Sequence, residues 1–106
     1  MITEIDGKQF QGEVLGSAVP VLVEFFTPHC SPCRQMLPIL DEIAGERVAA
    51  LKVFKFDAGE NPQFASQFGI RSVPNFLIFK GGNPVGQRSG FVPKRELLAW
   101  IDSAVA

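Results

Sequence analysis

The stretch that decides the fold is Phe25-Phe26-Thr27-Pro28-His29-Cys30-Ser31-Pro32-Cys33-Arg34, which holds both cysteines of the chain. An apolar run ends at this stretch, and a helical pattern follows it, with apolar residues recurring at spacings of three and four from Met36 to Ala44. We therefore expect Cys30 at the turn from a strand into a helix and Cys33 one helical turn later. Because residues three apart share one face of a helix, the two sulfur atoms can close a disulfide over a very short loop.

The position of this cysteine pair favours redox chemistry over a structural role. A bridge over so few residues constrains little of the unfolded chain, so its contribution to stability should be small. The helix start places unpaired N–H groups and a partial positive charge beside Cys30, which favours the thiolate that attacks disulfides. His29, when charged, would favour that thiolate further, and Pro32 fits the first helical turn, where a missing N–H costs little.

The composition limits the class of protein. The chain has 106 residues, of which 46% are hydrophobic, and a formal net charge of −1. We expect a single domain over residues 1–106. Acidic and basic residues are mixed along the chain, so nothing indicates a nucleic-acid partner. No run approaches the roughly 18 apolar residues of a membrane span, and residues 1–8 lack the pattern of a secretory signal, so we expect a cytoplasmic protein that does not enter a membrane.

Metal binding is the other use of two thiols at this spacing in a reducing compartment. A structural zinc site usually takes four protein ligands, and the chain offers only Cys30, Cys33 and His29. Zinc or an iron–sulfur cluster would therefore need two chains that share one site. We expect neither a metal nor an organic cofactor, with the Cys30–Cys33 disulfide as the redox centre.

Two apolar runs predict buried strands, Val19–Phe26 and Val48–Asp57. Each run carries one charged residue in an otherwise apolar setting. Glu24 lies in the middle of the first run, where burial would raise the pKa of its carboxyl. Lys55 lies late in the second run and is the candidate partner of Glu24.

The rest of the chain extends this pattern on both sides. A short strand at residues 2–5 and a helix begun by Asp6 come first, and further helices begin near Pro62 and Pro93. Lys80-Gly81-Gly82-Asn83 is a hairpin turn between two strands. The order β-α-β-α-β-α-β-β-α predicts an α/β fold in which strands joined by helices are parallel and the hairpin adds an antiparallel edge.

This order, with a Cys-x-x-Cys at a strand-to-helix turn, resembles the thioredoxin family over essentially the whole chain. The points of likeness are the motif Cys30-Ser31-Pro32-Cys33, residues 38–44 after it, residues 68–74, and Phe79-Lys80-Gly81-Gly82. The resemblance implies the thioredoxin fold, a central five-stranded mixed sheet flanked by four helices.

The resemblance also implies which residues form the site. The peptide bond before Pro74 would be cis and face the cysteine pair, and the backbone of Val73 would pair with an extended substrate segment. Gly90 would keep a small residue beside the site. Glu24 and Lys55 match the positions of the family's buried acid, which is usually Asp, and of its lysine partner.

Three positions depart from the family's pattern. His29 and Phe26 stand where the family usually has Trp, and Ser31 stands where it usually has Gly. A thiolate that is stabilised in the reduced form makes the disulfide more oxidising. We therefore expect His29 to make the redox couple less reducing than that of a relative with Trp.

The leading hypothesis is a thioredoxin-type protein disulfide reductase. Cys30 would attack a substrate disulfide, Cys33 would resolve the mixed disulfide, and Glu24 would act as the base for Cys33. The partners would be proteins that carry disulfides and a thioredoxin-reductase-like electron donor, and we expect a monomer. Two alternatives stay open: a dedicated electron donor or thiol oxidase for one partner enzyme, and a binding module that keeps the fold without turnover.

Overall fold

The computed structural model describes residues 2–106, and within them five strands and four helices follow in the predicted order. The elements are β1 (Thr3–Ile5), α1 (Gly7–Phe10), β2 (Val21–Phe26), α2 (Ser31–Glu46), β3 (Lys52–Asp57), α3 (Pro62–Gln67), β4 (Asn75–Lys80), β5 (Asn83–Ser89) and α4 (Lys94–Val105). The helix α1 continues directly into a π-helical segment, Gln11–Leu15. None of the helices in the described part of the chain has the length and apolar character that a bilayer crossing requires. The mixed five-stranded sheet with four helices confirms the predicted fold class.

The strands lie in the order β1-β3-β2-β4-β5. The strand β3 is parallel to β1 and β2, whereas β4 is antiparallel to β2 and β5 is antiparallel to β4. The prediction that helix-joined strands are parallel is therefore wrong for β3 and β4. A helix of six residues rises about 9 Å, whereas a strand of six residues runs about 20 Å. The helix α3 is thus too short to return the chain along the sheet, and β4 starts at the end where β3 stops.

The second long strand is shorter than predicted. It begins at Lys52 and not at Val48, whose side chain is 82% exposed. The chain is still turning before Lys52, since the N–H groups of Ala50 and Leu51 both donate to the carbonyl of Arg47 at 2.9 Å. An apolar pattern alone does not separate such a turn from the strand that follows it.

The sheet separates two apolar clusters. The cluster shared with α2 and α4 includes the buried residues Leu22, Met36, Leu40, Val53, Phe76, Leu97 and Ile101. The cluster on the other face is mostly aromatic and includes Phe10, Phe25, Phe54, Phe56 and Phe79. Consecutive residues of β3 enter opposite clusters, Val53 the first and Phe54 the second, because side chains alternate between the two faces of a strand. Glu24, two residues after Leu22, therefore faces the helix that carries the cysteines.

The start of β4 lies beside the ends of β2 and β3, at the same end of the strands of the sheet. Phe25 is paired with Asn75, and Phe26 is paired with Asp57. The turn into α2 leaves the sheet at this same end of β2. The topology thus brings the segment before Asn75 close to the cysteines.

Candidate active site

Cys30 and Cys33 lie at the N-terminus of α2 and are joined by a disulfide bond. Cys30 caps the helix with an extended backbone (φ −90°, ψ 106°), and the N–H of Cys33 donates to the sulfur of Cys30 at 3.2 Å. Pro32 occupies the first turn, where no N–H is needed. The predicted positions of these three residues are confirmed, and the sulfur of Cys30 lies at the positive end of the helix.

The two cysteines differ in exposure. Cys30 is 9% exposed, and Cys33 is 2% exposed. The neighbouring residues His29, Ser31 and Pro32 are exposed. Cys30 is therefore the more accessible residue of the pair.

Glu24 is fully buried in the middle of β2. Within residues 2–106 neither oxygen of its carboxyl group has a hydrogen-bond partner. Burial raises the pKa of Glu24 from 4.5 to about 8, and the positive charge of Lys55 offsets only part of this rise. The carboxyl group is therefore mainly protonated at neutral pH. Together with Cys33 it lines a cavity of about 200 Å³.

Lys55 lies directly opposite Glu24 in the parallel pairing of β2 and β3. Its ammonium group does not contact the Glu24 carboxyl but lies over the ring of Phe26, with Nζ 5.5 Å from the ring centroid. The predicted partnership of Lys55 with Glu24 is thus an electrostatic effect at a distance and not an ion pair in contact.

The segment before β4 contains the Val73–Pro74 peptide bond, which is cis, as the resemblance implied. The carbonyl of Pro74 accepts the N–H of Gly90 at 2.9 Å, and Gly90 has a φ of +87°, which glycine adopts readily. Val73 lines a second cavity of about 410 Å³, together with Thr27 and residues 69–72. Thr27 also lines the cavity that contains Glu24, so the two cavities adjoin at the end of β2.

Two further residues hold the site together, although no sequence pattern pointed to them. The carbonyl of Thr27 accepts the N–H of Cys30 at 3.2 Å. The thioether of Met36 accepts the N–H of Val92 at 3.4 Å and so ties the segment after β5 to α2. Thr27 acts through its backbone, which side-chain patterns do not report. Met36 belongs to an apolar helical stripe, and the spacing of that stripe does not show that its sulfur accepts a hydrogen bond.

This arrangement can exchange thiols and disulfides. The two sulfur atoms are bonded, one cysteine is more accessible than the other, and an acid–base group shares a cavity with the less accessible one. In the described part of the chain, no group of three or more His, Cys, Asp or Glu side chains is placed to hold a metal ion.

Comparison with known proteins points to one family. The family model for thioredoxin matches residues 1–103. Thioredoxin 1 of Nostoc sp. is 50% identical over 94 residues, which cover 89% of this chain and 88% of that protein. The thioredoxin of Synechocystis sp. is 43% identical over 99 residues (93% and 92%). The thioredoxin of Rickettsia bellii is 39% identical over 105 residues (99% and 100%). With its Cys30–Cys33 disulfide at the strand-to-helix turn, the chain belongs to the thioredoxin family and is a protein-disulfide oxidoreductase.

Proposed function

We propose that this oxidoreductase works as a reductase of disulfides in other proteins, with Cys30 as the attacking cysteine and Cys33 as the resolving one. The thiolate of Cys30 attacks one sulfur of the substrate disulfide, and the other substrate sulfur leaves as a thiolate that takes up a proton. The thiolate of Cys33 then attacks the sulfur of Cys30 and releases the second substrate thiolate. Two electrons pass to the substrate, and Cys30 and Cys33 end as a disulfide.

The difference in exposure between the two cysteines is the observation that carries this assignment. Cys30 is the more exposed, and it caps a helix whose positive end favours a thiolate. Cys33 is less exposed but lies within bonding distance of Cys30. His29 and Pro32 are proposed to tune the pair, since His29 adds a positive charge when protonated and Pro32 stiffens the first turn.

Glu24 is proposed as the base that takes the proton from Cys33. Both residues line one cavity of about 200 Å³, and a water molecule occupies only about 30 Å³ in the liquid. The cavity therefore has room for water that carries a proton between thiol and carboxylate. A group with a pKa of about 8 can accept and release a proton near neutral pH, as a catalytic base must. Lys55 is proposed to tune this base, because its charge favours the carboxylate.

The substrate is proposed to bind beside the cysteines at Val73, Pro74 and Gly90. Val73 is half-buried and precedes β4, so its backbone is suited to pairing with an extended segment of the substrate. The hydrogen bond from Gly90 to Pro74 holds the two segments together. A disulfide carried by the paired segment would come next to Cys30.

The partners follow from this chemistry. The substrates are proposed to be proteins with accessible disulfides, and a thioredoxin-reductase-like enzyme is proposed to return the electrons. The exchange itself needs no metal or organic cofactor. We further propose that residues 1–106 act as one domain, as a monomer, and in the cytoplasm, where a dithiol persists.

Reduction of insulin with dithiothreitol as the electron source tests the proposal. The native chain should accelerate the reaction, and Cys30→Ser should abolish the acceleration. Cys33→Ser keeps the attacking thiol and lacks the resolving one, so it should accumulate as a mixed disulfide with its substrate. If Cys30→Ser trapped the substrate instead, the two roles would be reversed. If both variants matched the native chain, the redox mechanism would be wrong.

A further inference from the structure

Three side chains beside Cys33 come from two paired strands. Glu24 and Phe26 are two residues apart in β2 and so face the same side of the sheet. Lys55 lies opposite Glu24 in the register of β2 and β3. All three line the cavity of about 200 Å³ that also contains Cys33 in its wall. Within this cavity the ammonium of Lys55 therefore has two neighbours, a carboxyl group and an aromatic ring. On the other side of β3, the exposed Glu4 of β1 is also paired with Lys55 and does not line the cavity.

The ammonium lies at the ring. Nζ of Lys55 is 5.5 Å from the ring centroid of Phe26, within the about 6 Å over which a ring face attracts a cation. The oxygens of Glu24, in contrast, have no hydrogen-bond partner in residues 2–106. The ammonium of Lys55 is therefore at the ring of Phe26 and not at the carboxyl group of Glu24.

The other groups around Glu24 do not supply a competing cation. Arg34 of α2 also lines the cavity, but its guanidinium is exposed and donates to a backbone carbonyl at 2.9 Å. Cys33 of the same helix is held in the disulfide and does not titrate in the oxidised protein. On β4 the residue paired with Glu24 is the uncharged Phe76. Among the described residues, Lys55 is thus the cation whose position controls the ionisation of Glu24.

We propose that Phe26 is a positioning residue: its ring holds the Lys55 ammonium away from Glu24 and leaves the buried carboxyl without an ionic partner. A carboxylate without a contacting cation binds a proton more tightly than one paired with lysine, and it is the stronger base toward Cys33. The consequence for catalysis rests on the proposed role of Glu24 as the base. The position of the Lys55 ammonium does not depend on that role, and it is tested separately.

The first test measures the ionisation of Glu24 in the oxidised protein. The chemical shift of its side-chain carboxyl carbon is followed by NMR against pH. Phe26→Leu removes the ring and frees the ammonium, so the pKa of Glu24 should fall by about one unit or more, as for an opposite charge within 4–6 Å. Phe26→Trp keeps an aromatic face and should leave the pKa close to its native value. An unchanged pKa in Phe26→Leu would overturn the inference.

A double-mutant cycle shows whether the ring acts through Lys55. In the Lys55→Met background, adding Phe26→Leu should cause no further change in the pKa of Glu24, because the cation is already gone. An equal fall in both backgrounds would contradict the inference, since the ring would then act through packing or solvent access.

The rate at which Cys33 resolves a mixed disulfide separates this inference from the proposed function. If Glu24 is the base, the pH profile of this rate should move to lower pH in Phe26→Leu by the same amount as the pKa of Glu24. If the pKa falls and the profile stays where it was, Phe26 positions Lys55 as inferred, but Glu24 is not the base.

Discussion

The N–H of Val92 donates to the thioether sulfur of Met36 at 3.4 Å, and both residues are buried. Met36 lies one helical turn after Cys33, so this bond ties the segment that follows Gly90 to the helix of the cysteines. Met36→Leu keeps the volume but leaves a buried N–H without a partner, which should cost about 1–3 kcal/mol in the free energy of unfolding. Denaturant unfolding measures this cost, and hydrogen exchange at the Val92 amide should become faster.

Leu40→Met is the matched control for this prediction. Leu40 is buried in the same helix and the same apolar cluster as Met36. Its replacement conserves volume without removing a hydrogen bond, so it should leave hydrogen exchange at the Val92 amide unchanged. If the Val92 amide exchanged at the native rate in Met36→Leu, the sulfur of Met36 would not be its hydrogen-bond acceptor.

The buried carboxyl of Glu24 makes stability depend on pH. Its pKa is about 8 in the folded protein, against an ordinary value of 4.5. Between these values the folded protein holds a proton that the unfolded chain has released, so the free energy of unfolding falls as the pH rises. The fall is about 1.4 kcal/mol per pH unit and amounts to roughly 5 kcal/mol over the whole window. Denaturant unfolding of the oxidised protein at pH 5 and pH 8 measures most of this fall.

Glu24→Gln should remove this pH dependence, because its amide does not titrate. The variant should have a stability similar to that of the native protein at pH 5 and should be more stable by several kcal/mol at pH 8. Glu60→Gln, at an exposed position in the turn after β3, should leave the native pH dependence intact. A native-like slope in Glu24→Gln would show that another group causes the dependence.

The elements and the placement of the cysteines could be predicted from the sequence, because hydrophobic periodicity and helix-start signals act over a few residues. The helix α1 shows this, since it is begun by Asp6 as predicted, and the side chains of Asp6 and Gln9 each accept the other residue's backbone N–H. The buried acid Glu24 could also be predicted, because a carboxylate in an apolar run is conspicuous.

The direction of β4 was predicted wrongly, and the position of the Lys55 ammonium was not predicted. The direction of β4 depends on comparing the length of α3 with the length of a strand, which the local pattern of β4 does not contain. Lys55 was predicted as the candidate partner of Glu24, and it lies opposite Glu24 in the sheet. Which of two neighbours its ammonium contacts is decided by tertiary packing, and only the structure shows the ring of Phe26 in that place.

Gly90 has a backbone conformation that a larger residue would strain. Its φ is +87°, and a Cβ added there would meet no atom within 4 Å. Gly90→Ala should therefore cost about 1–2 kcal/mol through backbone strain alone. Gly12→Ala is the control, because Gly12 also has open space but lies in the helical segment after α1. There alanine should stabilise by roughly 0.5–1 kcal/mol. In denaturant unfolding, Gly90→Ala should therefore lower the free energy of unfolding and Gly12→Ala should raise it. Equal changes in the two variants would contradict the role of backbone strain at Gly90.

His29 is exposed beside Cys30 and is expected to make the redox couple less reducing. Its positive charge, when present, stabilises the Cys30 thiolate and hence the reduced form, so the potential should be less negative than the about −270 mV of thioredoxin. Equilibration with glutathione measures the potential. His29→Gln removes the charge and should make the potential more negative by on the order of 10 mV, and high salt should reduce this difference because it screens exposed charges. A native potential at or below about −270 mV, or an equal effect of His29→Gln at low and high salt, would refute the role of this charge.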